Sequence, residues 1–336
     1  MHEDPSTTDD DHARAAIAAE DDSDALRRKS EVLRKENEEL QELLRLMALP
    51  RDVQLAEHEA NLAAARADTE DAGAAEGTAW LALARFHHRD GDLDEARGSV
   101  ARAIAAFKAA GGPAKELGRA WRLLGDLHRA TDSPRAALPA YRRALAAWDD
   151  GPTTINERAH VIQQIGRTLA GLDDPEAALP RLEEARDLLS GDPELLWEEF
   201  MVVDDIGELH ESTGRPVEAE RIYRSVLERL RADEEATDLL ARALDGLASA
   251  LDTQGRHEEA VDTYVEGLDL VGEGDEDYAD VEQSLAIGLA DALRALGRDD
   301  EAEIADARAA GAAEIVEENA ALEAMQVMAE EEDGYR

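Results

Sequence analysis

The sequence predicts an all-α protein, an α-solenoid of six stacked helical hairpins. The 336 residues are 43% hydrophobic but 4% aromatic. A core built from aliphatic side chains and alanine suits closely packed helices better than sheets. Six alanines recur at steps of 41 or 42 residues: Ala96, Ala137, Ala178, Ala219, Ala260 and Ala302. A small residue stands twelve positions before each, where two helices can approach closely: Ala84, Gly125, Gly166, Gly207, Ala248 and Ala290.

The chain begins with an acidic tail followed by a short heptad segment. Residues 1–24 are acidic and poor in apolar side chains, which predicts disorder. Residues 25–48 predict a short coiled-coil helix, and an asparagine at an a position favours a parallel homodimer. The expected dimerisation residues are Leu26, Leu33, Asn37, Leu40, Leu44 and Met47. Three heptads are marginally stable alone, so folding back onto the solenoid is the alternative.

The remaining chain divides into a lead-in segment, the repeats and a C-terminal helix. Residues 51–76 predict a helix over about 51–68 and then a flexible linker, DTEDAGAAEG. The six repeats occupy residues 77–314. The second helix of the sixth repeat continues over 299–330 as a cap, because the end of a repeat stack must be covered. Residues 331–336 form a second acidic tail.

The repeats resemble the tetratricopeptide repeat, whose tryptophan, leucine-glycine, alanine and aromatic positions recur here. The second repeat matches most completely, with Trp121, Leu124, Gly125, His128, Ala137 and Tyr141. The period of 41 residues exceeds the usual 34, and the closing proline is absent, so longer helices are expected. The resemblance implies that each first helix lines a concave surface that holds an extended peptide or a helix.

Composition and charge exclude several classes of protein. Lys and Arg number 36 against 79 Asp and Glu, a formal charge of −43, which opposes nucleic-acid binding. The absence of cysteine excludes disulfides and thiol nucleophiles. No apolar run is long enough for a membrane span. We expect no nucleic-acid or membrane partner and a cytoplasmic location, and the acidity fits either GC-rich coding or adaptation to high salt.

No motif predicts catalysis. None of the four lysines follows a glycine as a phosphate-binding loop requires, and no serine lies in a nucleophile elbow. The Asp90, Asp92 and Asp94 series lacks the glycine of a calcium loop. His87, His128 and His210 share one repeat position and are expected to pack between helices. We therefore expect no enzyme activity, no cofactor and no bound metal.

The polar stripe of each first helix gives the candidate site. It is mainly cationic or amide-bearing in repeats one to three and acidic in repeats four and five. The candidate partner-binding residues are His88, Arg89, Arg119, Arg122, Arg129, Gln163, Arg167, Asp204, Glu208 and Glu211. An ion-pair ladder could neutralise one position per repeat: Arg85, Asp126, Arg167 and Glu208. The other cations, Arg119 included, are expected to form a basic patch.

The favoured function is a non-enzymatic protein-protein interaction scaffold or adaptor that binds a partner segment in the concave groove. A basic patch suits an acidic segment of another protein or the chain's own acidic stretch at residues 329–333. The alternative is a ligand- or peptide-responsive regulatory sensor that acts through the superhelix.

Overall fold

The computed structural model describes residue 34 and residues 51–67, 72–131, 133–149, 154–233 and 235–333. The acidic tail at 1–24 lies outside these ranges, and so do the six expected dimerisation residues. The chain divides into a large compact unit, residues 58–329, and a small one, residues 1–57 with 330–336. The repeats belong to the large unit.

The described residues fold into α-helices, which confirms the all-α prediction. The helices are α1 Arg51–Ala67, α2 Ala72–Arg89, α3 Leu93–Ala110, α4 Ala114–Ala130, α5 Pro134–Asp149, α6 Ile155–Gly171, α7 Pro175–Leu189, α8 Leu196–Ser212, α9 Pro216–Ala232, α10 Thr237–Thr253, α11 His257–Val271, α12 Ala279–Ala295 and α13 Asp299–Asp333. Short 3-10 turns precede α8 and α12, at Pro193–Leu195 and Glu276–Tyr278.

The helices form six consecutive hairpins. The first helices of the repeats are α2, α4, α6, α8, α10 and α12, and each is followed by its second helix. In the first five repeats, the first helix contacts its own second helix, which also contacts the next first helix. First helices also contact one another directly, as α8 does with α6 and α10. The first helices therefore form one continuous row, whose outward face we call the first-helix surface.

Local signals set the helix ends. At the start of α6 the Thr154 hydroxyl accepts a hydrogen bond from the Glu157 backbone N–H, and the Glu157 carboxylate accepts one from the Thr154 N–H. This reciprocal pair satisfies two backbone donors that a helix start leaves free. Proline occupies the first position of α7 and α9, where its missing N–H costs nothing. The helices from α2 to α12 run 15 to 18 residues.

The small residue of each first helix marks a close helix crossing. A Cβ added to Gly125 would lie 2.4 Å from Tyr141 Cε1, and one added to Gly207 would lie 2.3 Å from Tyr223 Cζ. The register alanines of the second helices are buried, with Ala219 at 0% exposure. The sequence prediction of close approach at these positions is confirmed.

Two buried carboxylates of first helices form ion pairs with arginines of the second helices of the same repeats. Glu199 of α8 is 2% exposed and accepts two hydrogen bonds of 2.7 Å from the Arg229 guanidinium of α9. Glu282 of α12 is 1% exposed and lies 2.5 Å from Arg308 Nε of α13. A buried carboxylate needs such a partner because an unpaired buried charge is costly.

The first repeat starts earlier than the sequence predicts. Helix α2 begins at Ala72, so residues 72–76, assigned above to a flexible linker, are helical. The glycines of AGAAEG are what suggest a loop there. Gly77 lies inside α2 against Phe107, and an added Cβ would come 2.6 Å from Phe107 Cδ1. Glycine here permits helix packing and does not mark a loop.

Candidate functional site: the first-helix surface

Neighbouring first helices place side chains about one repeat apart in direct contact. Arg119 Nε of α4 donates to Glu157 Oε1 of α6 at 2.5 Å. Gln163 Nε2 of α6 donates to Asp205 Oδ2 of α8 at 2.6 Å. Ser284 Oγ of α12 donates to Asp245 Oδ2 of α10 at 2.6 Å. The polar stripes therefore form a continuous array.

The structure corrects the expected basic patch at Arg119. This guanidinium contacts Glu157 at 2.5 Å and Glu116 at 2.9 Å. Burial acts to lower the pKa of Arg119, but the two carboxylates outweigh it, so the net effect is a raised pKa. Both glutamates lie near the starts of their helices, off the stripe considered from the sequence. Arg119 is largely neutralised within the protein.

Arg122 and Arg129 are less completely paired. Arg122 Nη1 lies 3.9 Å from Asp126 Oδ2, at the outer limit of an ion pair. Arg129 is exposed and forms no ion pair within 4.0 Å among the described residues, although its charge acts on Tyr141 and Asp205. His160 of the adjacent α6 has a lowered pKa because it is buried and because Arg122 lies nearby. Arg122, Arg167 and Arg129 all act on His160 in this direction, and Asp126 opposes them.

The other candidates of the cationic half lie in α2. His88 is half-buried, and the guanidinium of the exposed Arg89 lies 5.6 Å from the centre of the Phe86 ring. Both residues belong to the last turn of α2, where positive charge is favourable at a helix C-terminus.

The alternative ladder of Arg85, Asp126, Arg167 and Glu208 does not form as ion pairs among the described residues. Asp126 Oδ1 accepts a 2.8 Å hydrogen bond from the Tyr141 hydroxyl. Arg167 Nε lies 3.5 Å from Asp205 Oδ1, which stands beside the stripe. The Tyr141 hydroxyl reaches Asp126 because the ring packs against Gly125, where there is no side chain to block its way to the first-helix surface.

Asp205 forms the junction between the two charged halves. Its carboxylate receives the Gln163 amide at 2.6 Å and faces Arg167 at 3.5 Å. The same Gln163 amide also donates to the Met201 carbonyl oxygen at 3.3 Å. Beyond this point, α8, α10 and α12 contribute mainly carboxylates.

These three helices enclose a cleft of about 490 Å³, which we call the acidic cleft. Its lining contains one guanidinium, two tyrosine rings and seven carboxylates. The carboxylates are those of Asp204, Glu208, Glu211, Asp245, Asp252, Asp280 and Asp291. The lining also includes Tyr223, Arg242, Tyr264 and Ile287.

The guanidinium of the acidic cleft is already occupied. Arg242 contacts Asp238 at 3.1 Å and Asp280 at 2.7 Å. Three of the other carboxylates accept hydrogen bonds from neutral hydroxyl groups. Tyr223 donates to Asp204 at 3.2 Å, Ser249 to Glu211 at 3.2 Å and Ser284 to Asp245 at 2.6 Å. Glu208 has no ion-pair partner among the described residues.

Burial raises the pKa of four carboxyls in the acidic cleft, those of Asp204, Glu208, Glu211 and Asp245. Neighbouring negative charges add to the effect, since Asp204 acts on each of the other three. Glu211 Oε1 is buried and has no hydrogen-bond partner within the described ranges. The cleft therefore holds negative charge that the protein leaves poorly compensated.

Sequence reasoning missed the tyrosines and the depth of this cleft. Asp245 stands 41 residues after Asp204, so the repeat spacing carries the signal that could have added it to the candidates. Tyr223 and Tyr264 belong to second helices and match family positions that pack in the core. Their rings cross to the first-helix surface at glycines, a contact that helical periodicity alone does not reveal.

The three equivalent histidines pack between helices, as predicted. His210 is 5% exposed, and the Nδ1 atoms of His87, His128 and His210 are buried without a hydrogen-bond partner in the described structure. Burial lowers the pKa of His128 and His210. Among the described residues, no group of three or more acidic or histidine side chains is arranged to hold a metal ion. No described helix combines the length and apolarity that a membrane span requires.

Comparison with known proteins identifies the repeat. Residues 75–150 and 200–272 match the family model described as "Tetratricopeptide repeat". The crystal structure of BtubC (BKLC) from P. vanneervenii is 16% identical, covering 80% of this chain and 92% of that one with a TM-score of 0.51. A putative kinesin light chain from Podosopora anserina is 14% identical, covering 58% and 93% with a TM-score of 0.49. No curated protein matches the chain in sequence.

The matched segments, the hairpin stack and the first-helix glycine positions define a solenoid repeat protein. This chain carries tetratricopeptide repeats at residues 75–150 and 200–272, within a hairpin stack whose period is about 41 residues.

Proposed function

We propose that this chain is a non-enzymatic scaffold or adaptor that binds a segment of a partner protein along the first-helix surface. The tetratricopeptide repeat fold supports a role in protein interaction generally. The observation that carries the finer proposal is the charge separation along the surface. Incompletely paired cations lie on α4, and poorly compensated carboxylates lie on α8 and α10.

Such a surface selects both the composition and the direction of its ligand. Complementary charges steer encounter and fix register. Arg122 and Arg129 favour an acidic stretch, because guanidinium groups bind carboxylates through paired hydrogen bonds. The acidic part of the bound segment would lie over α4, and the rest of the segment would extend toward α8.

The test is a pull-down from native lysate at the organism's own salt, with bound proteins identified by mass spectrometry. The bait is the full chain, as wild type and as Arg122→Glu/Arg129→Glu. The matched control is Arg135→Glu/Arg142→Glu, which reverses two exposed charges on the second helix of the same repeat.

We expect a partner that wild type and the control retain and that Arg122→Glu/Arg129→Glu loses. The same set of proteins on all three baits would contradict binding at this surface. Circular dichroism of the three baits checks that each is folded, since all four arginines are at least partly exposed.

Two further proposals concern residues outside the described ranges and the chain's surroundings. We keep parallel homodimerisation through residues 25–48 and a cytoplasmic location as proposals. Light scattering at micromolar concentration tests the first, because a monomer there would contradict it.

A further inference from the structure

We propose that the acidic cleft binds an arginine or lysine side chain of the partner segment. The inference rests on the proposed function and deepens it, since it assigns the chemistry of the ligand at the far end of the first-helix surface. The occupant is a basic stretch of another protein, next to the part of the segment that faces α4.

Negative charge in the cleft is only partly compensated by the protein's own donors. Asp204, Glu211 and Asp245 receive hydrogen bonds from hydroxyl groups, and Glu208 receives none among the described residues. Arg242 is already paired with Asp238 and Asp280, so it does not neutralise these four carboxylates. A cation entering the cleft would therefore meet several carboxylates without displacing an existing ion pair.

An unpartnered polar side chain, that of Tyr264, lines the same cleft. Tyr264 is 4% exposed, and its hydroxyl lies against Gly288, another residue of the lining. The equivalent tyrosines Tyr141 and Tyr223 donate to Asp126 and Asp204. The Tyr264 hydroxyl has no hydrogen-bond partner in the described structure. The residue is buried, but its hydroxyl oxygen is not fully enclosed, so it faces the open cleft, where a ligand can bond to it.

The shape of the cleft favours an organic cation over a metal ion. A metal ion needs several oxygen ligands converging on one point, and the described residues contain no such group. The carboxylates are instead distributed over α8, α10 and α12. Ile287 is 48% exposed and lines the same cleft. An arginine or lysine brings both a charged head and an apolar stem that packs on such a side chain.

The test measures peptide binding to the full chain by fluorescence anisotropy. Three first helices packed roughly 10 Å apart call for a peptide of about 8 residues, which spans roughly 27 Å when extended. The probes are labelled peptides of alternating arginine and serine, lysine and serine, and glutamate and serine. Glu211→Gln/Asp245→Asn removes two charges from the cleft, and Glu228→Gln/Asp269→Asn removes two exposed charges from α9 and α11 as the matched control.

We expect the arginine and lysine peptides to bind wild type and the control, and to bind Glu211→Gln/Asp245→Asn about tenfold more weakly. Tyr264→Phe should weaken binding severalfold, because it removes a donor and acceptor while keeping the ring that packs on Gly288. Equal loss in the control would show nonspecific attraction to a protein of charge −43 and would overturn the inference.

Two other results would also overturn it while leaving the scaffold proposal intact. In the first, only the glutamate peptide binds, and the Arg122→Glu/Arg129→Glu variant loses that binding. The other is failure of both basic peptides while the lysate partner is still captured. The chain's own basic residues at 27–29, Arg27, Arg28 and Lys29, provide a competing occupant and a third outcome. If Arg27→Ser/Arg28→Ser increases the affinity for the arginine peptide, that stretch occupies the cleft, and a partner's side chain does not.

Discussion

At the scale of single residues, tyrosine rings that pass glycines connect the core to the functional surface. Tyr223 lies against Gly207 of its own repeat and Gly246 of the next, where an added Cβ would come within 2.3 and 2.2 Å of its Cζ. Its hydroxyl then reaches Asp204. Burial and this carboxylate raise the pKa of Tyr223, so it remains a neutral donor. One side chain thus packs two repeats and orients a carboxylate of the acidic cleft.

The first prediction is that Gly207→Ala destabilises the protein. The new methyl would collide with the Tyr223 ring, and overpacking of this kind costs typically about 1–3 kcal/mol. Displacement of the ring would also remove the hydrogen bond to Asp204. Denaturant unfolding followed by circular dichroism measures the change.

Gly98→Ala is the matched control for this prediction. Gly98 lies in α3, is exposed, and would place its new methyl in open space. Alanine there should stabilise the protein by roughly 0.5–1 kcal/mol, because glycine is a poor helix former. If the two variants changed the free energy of unfolding equally, the close approach at Gly207 would have no energetic role.

Sequence reasoning succeeded at this scale where a signal repeats and failed where a single contact decides. The spacing of Gly125, Gly166 and Gly207 identified close crossings correctly, since each faces a bulky side chain of its partner helix. The fate of Arg119 could not be read from its stripe. One partner, Glu116, lies three residues before it on α4. The other, Glu157, lies on the neighbouring helix α6.

At the scale of helices, α8 and α10 carry a concentration of carboxylates that is unfavourable to the fold. Asp204, Glu208, Glu211 and Asp245 have pKa values raised by burial. A raised pKa means that folding favours the protonated form of these groups. Their favourable contribution is present below the ordinary values of 4.5 for glutamate and 3.8 for aspartate, and it is lost as pH rises through the raised pKa values.

The second prediction follows from that sign. Glu211→Gln/Asp245→Asn should raise the melting temperature at pH 7 by on the order of 2 °C, because it removes two charges that burial disfavours. The amide introduced at each position still carries an oxygen that can accept the existing hydrogen bond from Ser249 or Ser284. The gain should shrink as pH falls toward 4, where the wild-type carboxyls become protonated.

Thermal melts of the variant and wild type between pH 4 and pH 8 check this prediction. Glu228→Gln/Asp269→Asn is again the control, and it should gain less because its carboxylates are exposed. A cleft variant less stable than wild type at pH 7 would show that these carboxylates are well compensated. That result would also weaken the case for a cationic ligand, since sites that bind charge often sacrifice stability.

At the scale of the whole molecule, the repeat spacing predicted the hairpin stack because each unit packs only on its neighbours. A six-fold pattern at 41 or 42 residues fixes which helices touch. The sequence also divided the first-helix surface into a cationic and an acidic half. It could not supply the ion pairs between neighbouring helices, because these depend on the rotation of each helix and on side-chain reach.

The net charge predicts how the molecule responds to salt. If all 36 cations paired with one carboxylate each, 43 of the 79 carboxylates would still be unmatched. Repulsion among them opposes the compact state, and salt screens it with a Debye length of about 10 Å at 0.1 M. Salt also weakens exposed ion pairs such as Arg298 with Glu301, but fully exposed pairs of this kind contribute little to stability. Screening of the repulsion among carboxylates should therefore exceed the loss of ion pairs, and salt should stabilise the fold.

The third prediction is that the melting temperature rises between low and molar KCl, on the order of 5 °C for a protein of this size. Choline chloride is the control for the cation, because screening by ionic strength should act equally with either. A flat melting curve would mean that ion pairing and the arrangement of cations already balance the acidic excess. The same titration bears on the scaffold proposal, since binding through charge should weaken over the range in which the fold becomes more stable.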